Sequence, residues 1–167
     1  MFQYSFANVD LILEVDYNGR EGTGNPKAFK VQGYIAGDNL ITLNRKAPIA
    51  TTQFGAYGRM VASMQRIKAG DLVFPVLMNS LENKYLQDWA NHFQEIADSD
   101  DGELVIPIQG ILKDNMGKDE AIMSNGVILA MPAMVRGQTM NTVTWVITFE
   151  TLTFVRNHGG DADNAGN

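Results

Sequence analysis

Residues 141–154 read NTVTWVITFETLTF. Val143, Trp145, Ile147 and Phe149 alternate with Thr142, Thr144, Thr148 and Glu150. A period of two puts the first set on one face of a strand and the second set on the other. β-branched and aromatic residues dominate, which suits a pleated, half-buried surface. The stretch therefore predicts a long strand with one apolar and one wet side, the signature of an antiparallel sheet.

The same period recurs outward from it. Val9, Leu11, Leu13 and Val15 alternate with Asn8, Asp10, Ile12 and Glu14. In Asp71–Asn79, Leu72, Phe74, Val76 and Met78 share one face. Pro75 cannot donate to a ladder, so this strand is expected at an edge or with a bulge there. Leu104–Leu112 and Ala121–Met131 read as a long hairpin. Phe29–Ile35 and Leu40–Arg45 read as two strands joined by a tight turn at 36–39. Tyr57–Ile67 alternates once more, with Met60, Ala62 and Met64 on one side. Asp16–Ala28 and Lys46–Ala56 read as loops. The second holds Ile49 and Phe54, so it is expected to fold back on the core or dock on something else.

One helix interrupts the strands. Ser80 is a good N-cap, and Glu82 in the first turn favours the positive helix end. Leu81, Tyr85, Trp89 and Phe93, joined by Leu86, Ala90, Ile96 and Ala97, form an apolar stripe at helical spacing. Lys84 and Asp88 on the other face are spaced for an i, i+4 pair. The fold class expected is mainly β: an antiparallel β-barrel or sandwich of about eight strands with one flanking α-helix, 80–98. One domain spans 1–156. Residues 157–167, rich in Gly, Asp and Asn, read as a flexible C-terminal tail.

Composition narrows the function. The 167 residues carry 13 Lys and Arg against 19 Asp and Glu, a net charge of −6. A surface built to grip DNA phosphates has the opposite sign. Without cysteine there is no disulfide, no zinc–thiolate site and no cysteine nucleophile. His92 and His158 are the two histidines, and His92 borders the apolar stripe. Gly19 and Gly24 have P-loop spacing, but Asn25 and Pro26 stand where Lys and Ser/Thr are needed. Asp98, Asp100 and Asp101 before Gly102 miss the calcium-loop spacing. No catalytic residue, cofactor or metal site is expected. The N-terminus lacks the basic start of a signal peptide, and no uncharged run reaches membrane-spanning length. Most of the nine Met residues are expected in the core, with Met131, Met134 and Met140 set for a subunit contact.

Taken in order, these residues resemble a bacteriophage tail tube protein of the contractile-tailed type, whose fold is shared with type VI secretion tubes. The likeness is carried by Ile41-Thr42-Leu43-Asn44-Arg45, then Phe54-Gly55-Ala56-Tyr57-Gly58-Arg59-Met60. Leu77-Met78-Asn79-Ser80 running straight into the helix, the hairpin from Leu104 to Met131 and the strand around Trp145 complete it. It covers about residues 4–154.

The resemblance implies a structural virion protein with no enzymatic role. Its copies would form hexameric rings stacked into the inner tail tube, the conduit for the tape-measure protein and genome. Partners implied are other copies, the tail sheath protein, the tape-measure protein and baseplate or tail terminator proteins. Genome DNA would pass without specific binding, no membrane is involved, and assembly takes place in the host cytoplasm. Ile49, Thr51, Phe54 and Tyr57 are the expected inter-subunit or inter-ring contacts. Asn8, Asp10, Glu14, Thr144, Thr148 and Glu150 are the lumen candidates, because carboxylates and short polar groups repel passing phosphates. The competing reading is a carbohydrate-binding β-sandwich module with Trp89 or Trp145 as its platform. A small hydrolase is a third, opposed by the poor histidine supply.

Overall fold

The computed structural model describes residues 9–17, 22–31, 41–98, 107–114, 119–138 and 141–156. Among them are nine strands and one helix. The strands are β1 (Val9–Val15), β2 (Ala28–Val31), β3 (Thr42–Arg45), β4 (Ala50–Phe54), β5 (Met60–Met64), β6 (Gly70–Leu77), β7 (Ile108–Asp114), β8 (Asp119–Ile128) and β9 (Thr142–Arg156). The helix, α1, spans Leu81–Asp98. Seven strands form one antiparallel sheet in the order β2-β1-β7-β8-β9-β6-β3, and β4 pairs with β5 alone. The mainly β class with one helix is as the alternation predicts.

The sheet wraps its apolar face around a single core. Leu11, Leu13 and Val15 of β1, Leu72, Phe74 and Val76 of β6, and Val143, Trp145, Ile147 and Phe149 of β9 are all buried there. The helix closes the concave side, touching β2 near one edge of the sheet and β6 near the other. Its Trp89 packs on Phe29 of β2 with ring centroids 4.9 Å apart. On the opposite side, Trp145 Nε1 donates to Asn83 Oδ1 over 3.0 Å, and Asn83 Nδ2 donates to the Met78 carbonyl over 2.8 Å. A buried indole N–H and a buried amide are thereby satisfied together. Ser80 caps the helix as expected, its Oγ accepting from the Asn83 N–H.

A kink interrupts β8 and β9. Asn125 has a φ of 54°, and the pairing of β7 on β8 shifts register between Ile108 and Gly110. Buried positions step from Met123 to Gly126 and from Phe149 to Leu152, so the alternation slips by one on both strands. Such bulges bend a strand and re-aim its faces, which curves the sheet around α1. The Phe149 ring lies directly against the Gly126 backbone, where any side chain would collide.

Several expectations need correcting. Residues 46–56 contain a strand, β4, which raises the strand count. β2 and β3 are not a hairpin pair: β2 lies against β1 and β3 against β6, at opposite ends of the sheet. Adjacency in sequence suggested a turn, but each strand finds its buried partner elsewhere. β6 is an interior strand, yet β3 stops at Thr42, opposite Val73. Pro75 lies beyond that end, and its missing N–H faces the side β3 leaves open. Leu81 and Ala97, at the helix ends, are exposed rather than part of the buried stripe. Asp88 accepts from Asn25 Nδ2 over 2.6 Å, which ties the loop before β2 to the helix. Tyr17, read as loop, is buried in the core. Of the methionines in view, Met123 is in the core while Met60, Met64, Met131 and Met134 are exposed. Asn8, Met1, Met116, Met140, His158, Gly19, Asp100, Asp101, Gly102, the 36–39 turn and the 157–167 tail lie outside the described residues.

Candidate assembly surface

The β4–β5 hairpin stands apart from the main sheet. Phe54 lies opposite Met60, Thr52 opposite Ala62 and Ala50 opposite Met64. Directly opposed residues share a face, so this face is apolar but for Thr52 at its middle. The other face carries Thr51 opposite Ser63 and Gln53 opposite Val61. At the tip, the Gly55 N–H donates to the Arg59 carbonyl over 2.8 Å, and Gly58 takes a φ of +77° that glycine adopts at no steric cost. At the base, the Gln65 N–H donates to the Ile49 carbonyl over 2.8 Å.

Every residue from Thr51 to Lys68 is exposed. Phe54 is 70% exposed and Tyr57 99%. An isolated two-stranded hairpin is marginal in water, and an exposed apolar ribbon with open edges is a template for another chain. The alternation of Met60, Ala62 and Met64 is therefore real but reports an uncovered face, not a core.

The four predicted contact residues belong to this arm but do not share a surface. Phe54 is on the apolar face, whereas Thr51 is on the other, with Ile49 at the base and Tyr57 at the tip. Met60, Val61, Met64 and Ile67 were missed as contact candidates, although all are exposed apolar residues of the arm. Charge segregation was also missed. Residues 41–70 hold five of the 13 cations and none of the 19 carboxylates. The arm itself, residues 49–67, carries Arg59 and Arg66 and no carboxylate.

The lumen candidates lie on the side of the sheet away from the core. Asp10 and Glu14 of β1 share that face with Lys30 of β2 and with Gln109 and Lys113 of β7, by register. Asp10 pairs with Lys30, and Lys113 reaches Glu120 over 3.6 Å. Alongside the expected carboxylates and short polar groups, this face thus carries lysines, held by carboxylates. Between these pairs runs a row of isoleucines, Ile12, Ile111 and Ile122. On β9, Thr144 is exposed and Thr148 Oγ1 donates to Asp71 Oδ1 over 2.6 Å. Asp71 also receives Lys46 over 3.3 Å. Glu150 sits at the kink, where its Oε2 accepts from Asn125 Nδ2 over 2.8 Å.

Trp89 and Trp145 are both fully buried, so neither offers a sugar-stacking platform. No helix among the described residues is long and apolar enough to cross a membrane.

No family model and no curated protein matches the chain. Among solved structures, it is similar to a chain of the sheath–tube complex of an extracellular contractile injection system in its extended state. That match has 10% identity over 88% of each chain and a TM-score of 0.47. It is also similar to a chain of the sheath/tube terminator of such a system, at 12% identity over 93% of this chain and 98% of that one, TM-score 0.47. A third similarity is to the tube-terminating cap of the anti-feeding prophage, at 8% identity over 94% and 93%, TM-score 0.48.

Proposed function

We propose that this chain is a self-assembling structural subunit of a contractile-type tail tube. The observation that carries the reading is the β4–β5 arm, a ribbon with a largely apolar face that nothing among the described residues covers. A monomer gains nothing from displaying that face, whereas an assembly buries it. Copies form hexameric rings that stack into a tube within a virion tail put together in the host cytoplasm. The tape-measure protein and genome pass through it, and sheath and terminator proteins contact its outside and end. Residues 1–156 act as the one assembling domain.

The face bearing Asp10, Glu14, Thr144, Thr148 and Glu150 supplies the channel wall. Its lysines are engaged by carboxylates, which leaves passing phosphates weak cationic partners. Sedimentation of the purified chain across a concentration series tests the reading. A species of six times the 18.4 kDa chain, growing to larger particles, is expected. A chain that sediments only as monomer at high concentration and low salt contradicts it.

A further inference from the structure

We infer that the β4–β5 arm of one copy seats in the groove between α1 and the segment after β8 of the next copy, with Arg59 at the tip of the arm meeting the acidic C-terminal end of α1. The inference rests on the self-assembly reading and names the surface that receives the arm.

The groove has a volume of about 170 Å³ and is lined by Ala90, Phe93 and Ala97 of α1 with Ile128, Leu129 and Met131. Leu129 and Met131 are exposed apolar residues, so one wall is an uncovered apolar surface. The arm offers a ridge to match. Phe54 and Met60 project side by side from its apolar face, followed by Ala62 and Met64. Five strand residues extend roughly 16 Å, and Ala90 to Ala97 spans roughly 10 Å along the helix, so the ridge covers the groove. Within one copy the ridge and the Leu129–Met131 wall of the groove are exposed, so the partner that joins them is a second copy.

Charge selects the same pairing. The last turn of α1 holds Asp98 and no basic residue, with Glu95 one turn earlier. A helix C-terminus is already negative and is stabilised by a cation, yet here carboxylates crowd it. Arg59 and Arg66 of the arm are exposed. Outside the arm, residues 49–67, the chain has eleven cations against 19 carboxylates, so a second copy presents an acidic body to a basic arm. The contact is heterologous, arm to groove, so repeating it builds rings when the rotation closes. Complementary charge also steers the encounter and makes it salt-sensitive.

Because the chain has no cysteine, the contact can be read by single introduced thiols. Phe54→Cys and Leu129→Cys chains are made separately and mixed under mild oxidant. The inference predicts a disulfide-linked dimer from the mixture and none from either variant alone. Arg59→Glu cuts that yield about tenfold, and Glu95→Arg with Asp98→Arg in the partner restores it. Circular dichroism matching the parent shows that each variant is folded. Oligomers that form without the mixed crosslink overturn the groove and leave self-assembly standing. Chains monomeric at every concentration overturn both. A double-stranded DNA oligonucleotide that binds the parent but not the arginine variant, with no mixed crosslink, assigns the arm to nucleic acid and also overturns the inference.

Discussion

At the scale of single residues, the buried polar pair of Asn83 and Trp145 joins the helix to the longest strand. Asn83 is 2% exposed and uses both ends of its amide, one on the Trp145 indole and one on the Met78 carbonyl. Asn83→Ala strands both partners in the core. The expected loss is about 1–3 kcal/mol, the desolvation cost of an unmade hydrogen bond, read as a lower urea midpoint with unchanged slope. Gly126 is the second such residue. Its Cα lies under the Phe149 ring, so Gly126→Ala forces the ring or the strand to move. Overpacking of that kind costs about 1–3 kcal/mol, and the check is again the denaturation midpoint. Neither role is written in the sequence. Asn83 reads as an ordinary polar residue on a helix, and Gly126 as a weak point in a strand. Only the crossing of α1 over β9 and the curl of the sheet give them partners.

At the scale of elements, periodicity was legible wherever burial was one-sided. β1, β6 and the first half of β9 show the predicted buried set, save that Met78, just past the end of β6, is only half-buried. The second half of β9 could not be read, because the slip at Asn125 and Glu150 changes which face is buried and leaves no mark in the period. The arm was half legible. Its apolar content was visible, but apolar residues in alternation look the same whether the covering surface belongs to this chain or another. Hence β5 reads as a core-facing strand and β4 as loop. This separates folding from assembly. Phe54→Asp with Met60→Asp changes exposed residues of the arm that are no part of the core, so the melting of the body stays within about 0.5 kcal/mol of the parent. Assembly is lost in the same variant. A matching drop in thermal stability would show that the arm belongs to the body instead.

At the scale of the whole molecule, the sheet, helix and arm divide the work. The sheet and helix make a self-sufficient core, and the arm extends from the β3–β6 end of the sheet, where the Lys46 N–H donates to the Ala69 carbonyl over 3.0 Å. The polar outer face is a separate surface with its own test. Thr144→Lys with Thr148→Lys adds one cation beside Asp71 and another opposite Pro75. If that face lines the channel, tubes still form and DNA passage slows, with added salt relieving the defect. Unchanged passage through intact tubes moves those residues off the wall.

The central claim is that the exposed arm exists to be covered by another copy. Electron micrographs of the purified parent and of the Phe54→Asp, Met60→Asp variant, at equal high concentration, test it most directly. The account predicts rings and stacked tubes for the parent and single folded particles for the variant. Tubes of normal length from the variant, or isolated particles from the parent, would contradict it.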